Sequence, residues 1–362
     1  MNILIEIGHP AHVHKLAAAI KILKNKNHKI VVITKEIPSV EFLLTKYEIP
    51  YQIIGLKKDS LFGKGIMQLW YNLRCFIILK QEKIDLMIGC VTASFMTRLT
   101  HIPSVLMDDD DDEVEPLLVK YVHPYLSTIL SPSALTGNRL RKDTIYYSGY
   151  HELAYLHPNI FRPDENVVHE IGLKTGDPYF ILRFNAFKAH HDVGVHGLSI
   201  EDKRNLIARL ELAGTVFITS ERNLDEEFKK YSLLLSPEKI HSLIYYATML
   251  IGDSQTMTSE AAILGTPAVK CNTFAGKLAI PNELENNYQL CYSFLPDDAD
   301  KFFLKIDELL GIKNLKSEFK IRRERLLSEK IDVTAFYVWF IENYPKSVEI
   351  LKENPEYQNN FK

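Results

Sequence analysis

The chain has 362 residues, with 43 Lys+Arg against 46 Asp+Glu for a formal charge of −3, and a pI near 6.5. A surface that coats nucleic acid is normally basic overall, so no nucleic-acid partner is expected. With 46% hydrophobic and 25% charged residues, this is an ordinary globular composition, and the length predicts two domains rather than one core.

The four cysteines, Cys75, Cys90, Cys271 and Cys291, form no C-x-x-C pair. They read as thiols of a reducing compartment, not as a disulfide framework or zinc site. The N-terminus reaches Glu6 without a basic leader, which predicts no signal peptide. The longest apolar run, 66–79, is interrupted by Gln68, Asn72 and Arg74 and falls short of the roughly 20 residues a membrane helix needs. A cytoplasmic protein is expected. Peripheral contact with the inner face of a membrane stays open, because 66–79 with Lys57, Lys58 and Lys64 nearby suits either a core helix or an interfacial one.

In chain order, strands are predicted at 3–7, 30–34, 52–54, 86–90, 104–107 and 128–130. Between the first two, Val13, Leu16, Ala17, Ile20 and Leu23 recur at helical spacing. Near-continuous apolar strands between amphipathic helices indicate a parallel sheet covered on both faces. Residues 148–176 carry Gly149, Pro158, Pro163, Gly172 and Gly176 without a clean period, which places the domain junction there. Strands then resume at 179–184, 215–219, 249–252, 267–270 and 289–292. A last helix is expected at 331–344, with Val333, Phe336, Phe340 and Ile341 on one face. The expected domains are 1–155 and 156–330, both doubly wound and Rossmann-like, with 331–345 returning to the first. Two such domains facing a central cleft would gather the carboxyl ends of both strand sets, where open α/β sheets bind ligands.

The most informative segment is 251–267, Ile-Gly-Asp-Ser-Gln-Thr-Met-Thr-Ser-Glu-Ala-Ala-Ile-Leu-Gly-Thr-Pro. A strand ends at Gly252, small polar residues turn the chain, and a helix runs to Gly265. Met257, Ala261 and Leu264 make the core stripe, while Thr256 and Glu260 lie four apart on its border. Free N–H groups of the first turn, with the Ser254 and Thr256 hydroxyls, suit a phosphate. A carboxylate at Glu260 suits ribose hydroxyls.

This run, Asp253-Ser254 followed by Glu260-Ala261, Leu264-Gly265 and Pro267, resembles the nucleotide-binding segment of UDP-N-acetylglucosamine 2-epimerases and of glycosyltransferases with the two-domain GT-B fold. The chain looks like a member of an uncharacterised, glycosyltransferase-type family related to both. The resemblance implies that a UDP-linked sugar is the substrate and that no cofactor or metal is required. It assigns the diphosphate to Ser254, Gln255 and Thr256 at the helix start and the ribose to Glu260. The epimerases have two glycines where this chain has Gln255 and Thr256, so its backbone would approach the phosphates less closely. Their His-Arg-x-Glu-Asn cluster is also altered in order and spacing at 181–192, where Arg183 or Lys188 would neutralise diphosphate charge.

At the first strand–helix junction, Gly8-His9-Pro10-Ala11-His12-Val13-His14, Pro10 suits the first helical position and His9 the cap. His12 and His14 lie about 200° apart on a helix and cannot easily share a metal ion. By resemblance to inverting GT-B enzymes, His9 or His12 would be the general base that takes the acceptor proton. The run Asp108-Asp109-Asp110-Asp111-Asp112-Glu113 follows a strand directly. An acid run is ordinarily a solvated loop, but the epimerases carry catalytic acids after the matching strand, which makes Asp109, Asp110 and Glu113 candidates. An Asp-x-Asp metal site of the GT-A type is disfavoured by the nucleotide-like helix. The crowd of Tyr146, Tyr147, Tyr150, His151, Tyr155 and His157 is expected to pack a domain interface.

The reading is therefore a glycosyltransferase-like enzyme acting on a nucleotide-sugar donor and an unknown glycan or lipid-linked acceptor, in surface polysaccharide or glycoconjugate synthesis. A UDP-N-acetylglucosamine 2-epimerase is the alternative, and a non-catalytic nucleotide- or sugar-binding protein a second.

Overall fold

A computed structural model describes residues 1–56, 61–184, 197–220 and 224–362 and places the apolar runs in two parallel sheets. The first unit comprises Met1–Ile160 and Lys330–Lys362. Its described strands are β1 (Asn2–Ile7), β2 (Lys29–Glu36), β3 (Tyr51–Leu56), β4 (Leu86–Ile88), β5 (Ser104–Met107), β6 (Thr128–Pro132) and β7 (Ile145–Tyr147). They pair in parallel in the order β3-β2-β1-β4-β5-β6-β7.

The second unit is Phe161–Glu329. It carries β8 (Tyr179–Phe184), β9 (Thr215–Ser220), β10 (Met249–Gly252), β11 (Ala268–Cys271) and β12 (Cys291–Phe294), parallel in the order β12-β11-β10-β8-β9. The fold class is the expected one, two α/β domains each built on a parallel sheet. Central strands such as β6, β10 and β11 are buried along their whole length, which is why their sequences lack polar alternation. Strand order reverses between β1 and β4 in one sheet and between β8 and β10 in the other. At such a point the loops leave in opposite directions, and a crevice opens outside the strand carboxyl ends.

Some details differ from expectation. The short β7 was not foreseen. The last strand starts at Cys291 rather than 289, because Gln289 is left-handed at φ 53° and cannot extend a ladder. Tyr147 and Tyr150 belong to the first unit. Their rings are buried within the first unit, where Tyr147 Oη lies 2.9 Å from Tyr337 Oη on the helix Val333–Glu342. That helix is capped by Asp332, whose carboxylate accepts from Ala335 N, and it buries Phe336, Phe340 and Ile341. Among the described residues, no helix is long and apolar enough to cross a membrane.

Candidate active site

In the second unit, the reversal point brings β8 beside β10 with Arg183 opposite Gly252. A side chain at 252 would put its Cβ 2.0 Å from the Arg183 carbonyl oxygen, so only glycine lets the strands close here. The chain then turns. Asp253 N donates to Arg183 O at 3.1 Å, and Asn272 Nδ2 donates to Asp253 O at 2.8 Å. Ser254 caps the helix Gln255–Leu264 through a long 3.5 Å bond from Met257 N, and Gly265 closes it at φ 78°. The Arg183 guanidinium donates to Thr219 Oγ1 at 3.2 Å. A helix start and an arginine thus flank the place where this sheet opens, an arrangement that suits an anion.

Glu260 departs from its expected position on the bordering face. Thr256 is exposed there, whereas Glu260 is only 6% exposed and its Oε1 lies 3.0 Å from His241 Nε2 on the helix Ile240–Tyr246. Gln255 turns inward and accepts a bond from Lys270 Nζ at the end of β11. Lys270 is fully buried, and burial lowers its pKa to about 8. Lys188 lies outside the described residues, as do Lys57 and Lys58.

The first unit handles its helix starts differently. Glu6 on β1 points its carboxylate at the start of the helix Val91–Thr100 and accepts from Cys90 N, Thr92 N and Ala93 N at 3.1–3.4 Å. His9 caps the helix Pro10–Asn25 by accepting from Ala11 N at 3.2 Å. His12 Nδ1 accepts from Gly8 N at 3.4 Å. Burial, then the charge of Lys15, drives the His12 pKa down to about 3. With Nδ1 engaged, its proton sits on Nε2, so this imidazole is arranged to donate a hydrogen bond rather than to take a proton.

The acid run is divided residue by residue. Asp108 and Asp112 turn inward to the buried Arg139, whose Nη1 donates to both at 2.8 and 2.6 Å. These two carboxylates and His123 form a group with metal-ligand spacing, but the guanidinium already occupies the cation position between the carboxylates. Asp109 faces Lys15 Nζ at 3.0 Å and His151 Nδ1 at 2.7 Å. Burial alone would raise the Asp109 pKa, yet the charges of His151 and Lys15 hold it well below the usual range. Burial would likewise lower His151, and Asp109 with Glu152 instead pushes it up to about 9.

Asp110 is open to solvent. Surrounding protein that limits its hydration, and then repulsion from Asp109, Asp108 and Glu115, push its carboxyl up to about 7. Glu113 is exposed on the next turn and is not among the charges that weigh most on this group. Asp109 and Asp110 are therefore drawn into one cluster, which Glu113 does not join.

The family profile described as "Protein of unknown function (DUF354)" matches residues 1–287. The chain belongs to that family. The uncharacterized protein MJ0665 of Methanocaldococcus jannaschii is 21% identical over 338 residues, 87% of this chain and 89% of that one. Among solved structures, the S. aureus MnaA–UDP co-structure superposes with a TM-score of 0.65 at 12% identity, covering 96% of this chain and 97% of that one. UDP-GlcNAc 2-epimerase from Neisseria meningitidis, bound to UDP-GlcNAc, gives 0.61 at 15% identity over 91% and 100%. The Streptomyces sp. SF2575 glycosyltransferase SsfS6, complexed with thymidine diphosphate, gives 0.59 at 11% over 95% and 99%. The fold is thus that of GT-B glycosyltransferases and UDP-GlcNAc 2-epimerases.

Sequence reasoning missed Lys15, Arg139, His241 and Lys270, and read His151 only as part of an aromatic crowd. Lys15 and Lys270 left a signal, since each is a lone cation in an otherwise apolar stretch, and a buried lysine needs a partner. Arg139 and His241 are remote in sequence from the carboxylates they meet, and no local pattern marks them.

Proposed function

We propose that the chain is a glycosyltransferase acting on a UDP-linked sugar, with the second unit holding the nucleotide and the first handling the acceptor proton. One observation carries this reading: the Ser254-capped helix begins beside Arg183 where the strand order reverses. Its N–H groups and the guanidinium suit a diphosphate, and Glu260, oriented by His241, suits the ribose hydroxyls. The UDP, UDP-GlcNAc and thymidine diphosphate of the similar structures support the ligand class. The acceptor would be a glycan or lipid-linked sugar of surface polysaccharide or glycoconjugate synthesis.

In the transfer step the acceptor oxygen bonds to the anomeric carbon as that carbon's bond to the diphosphate breaks. The electron pair leaves on UDP, and the acceptor proton passes to Asp110. A carboxyl poised near neutrality can accept it, whereas His9 and His12 each have a ring nitrogen engaged by a backbone N–H. Arg183 and the helix start stabilise the departing charge. One observation favours 2-epimerisation as a second reading: the Asp109–Asp110–His151 cluster follows β5, and such acids would assist elimination and re-addition of UDP.

Calorimetric titration of UDP, with GDP alongside, into the wild type, Arg183→Ala and Glu260→Ala tests the nucleotide site. UDP binding that weakens in both variants is expected, and no binding of either nucleotide overturns the reading. Incubation with UDP-GlcNAc and no acceptor then separates the chemistries. Release of the 2-epimerised sugar selects the epimerase, and tight UDP binding with no product from any donor selects a binding protein.

A further inference from the structure

The helix Leu61–Glu82 is apolar on two opposite faces. Its inner face is ordinary, with Tyr71, Cys75, Ile78 and Leu79 buried in the core of the first unit. Its outer face is not. Leu69 is 72% exposed and Leu73 51%, with Ile66, Trp70 and Ile77 also exposed. At 100° per residue these five fall within an arc of about 100°. The polar residues that interrupt the run are turned sideways: Gln68 Nε2 donates to Asn72 Oδ1 at 2.9 Å and to Thr92 Oγ1 at 3.3 Å, on the neighbouring helix Val91–Thr100. A helix that is hydrophobic all round is normally buried, and this one leaves a whole stripe in water.

The stripe continues onto the neighbouring helix, where Phe95 and Leu99 are exposed, Leu99 at 63%. Between the helices runs a groove of about 460 Å³ lined by Leu73, Phe76 and Lys80 on one side and Met96, Leu99 and Thr100 on the other. The charge here is one-sided. In a chain of net negative charge, the described side chains of these two helices include Arg74, Lys80 and Arg98 against a single acid, Glu82, and that acid is paired with Lys29. Arg74 lies 5.9 Å from the Trp70 ring centre, Lys80 5.7 Å from that of Phe76 and Arg98 4.8 Å from that of Tyr125. Cationic heads held beside aromatic rings around an aliphatic stripe match the layering of a lipid headgroup region.

We propose that this face docks on an anionic phospholipid surface, with the helix Leu61–Glu82 lying in the plane of the interface. The stripe would enter the acyl boundary while Arg74, Lys80 and Arg98 meet the lipid phosphates. A second copy of the chain is a poorer occupant, because self-association through this face would oppose like charges. The proposal is independent of the reaction proposed above, and failure of either leaves the other standing.

The test is flotation of the full-length protein with phosphatidylcholine vesicles containing about one-third phosphatidylglycerol, and with phosphatidylcholine alone. The wild type is expected to float with the anionic vesicles, less so at high salt, and to stay down with the neutral ones. The triple variant Leu69→Ser/Leu73→Ser/Ile77→Ser should reduce the floated fraction by about tenfold or more. Leu234→Ser, at another highly exposed leucine, should float as the wild type does. The chain has two tryptophans, so Trp339→Phe leaves Trp70 as the sole indole, and its emission should shift to the blue with anionic vesicles. A wild type that ignores anionic vesicles overturns the proposal, as does a folded triple variant that still floats. Concentration-dependent self-association abolished by the triple variant, with no flotation, would instead assign the face to a second copy and overturn the lipid reading.

Discussion

The strand–helix junctions at the two reversal points have the same topology and opposite electrostatics. In the second unit the helix after β10 starts with a small hydroxyl cap, Ser254, next to the strand β8 that carries Arg183. In the first unit the helix after β4 starts on a built-in anion, the Glu6 carboxylate, and the helix after β1 on a histidine. A helix start carries a partial positive charge that some group will satisfy. Where the protein supplies a carboxylate, that helix start is already neutralised. Where the cap is a hydroxyl and the neighbouring strand carries an arginine, the site suits an external anion. The comparison divides the proposed labour: nucleotide on the second unit, proton transfer on the first.

Asp110→Asn should break the first half of this contrast most severely. Turnover is expected to fall about 10²–10⁴-fold while UDP binding is retained. As a base, Asp110 acts when ionised, so wild-type activity should rise with pH through about 7, and the variant's pH–rate profile should lose that inflection. An unchanged inflection would remove Asp110 from the role.

The His151–Asp109 pair makes a stability prediction with opposite signs at the two ends of the pH scale. The His151 pKa is raised from 6.5 to about 9 in the fold, so its contribution is fully present below about pH 6.5 and is lost as pH rises through 9. Urea unfolding should show a loss on the order of 3 kcal/mol across that window, absent in His151→Gln. Asp109 is depressed, so its contribution is present above the ordinary carboxylate range and is lost as pH falls through its lowered value. A wild type and His151→Gln with parallel pH–stability curves would show that the pair does not hold the fold.

In the second unit, Arg183→Ala should weaken UDP binding roughly tenfold or more, the usual worth of a hydrogen bond to a charged group. The melting temperature should move by only a few degrees, since the bond that Arg183 donates to Thr219 goes to a neutral hydroxyl. Smallest of all, Ser254→Ala should cost about 0.5–1 kcal/mol of stability, the low end for a lost cap given the long bond to Met257 N, and weaken UDP a few-fold. If Ser254→Ala outweighs Arg183→Ala in the calorimeter, the helix start rather than the arginine dominates the anion site.

Local pattern was enough to place most of the strands and the second-unit helix. β5, β8 and β10 lie where the apolar runs placed them, and Ser254 and Gly265 bound the helix whose ends they mark. Parallel strands buried on both faces need continuous apolar runs, and caps need particular small residues, so both features are local and legible. The site was legible only as a set of candidates. An acid run has no period to say which carboxylate turns where, and that was decided by Arg139, Lys15 and His151, each arriving from a distant segment. Glu260 was equally ambiguous: helical spacing placed it on a border, and His241 drew it inside. The outer stripe of the helix Leu61–Glu82 shows the same limit from the other side. Composition marks an apolar helix, but only the packing decides which of its two apolar faces the core consumes and which is left exposed.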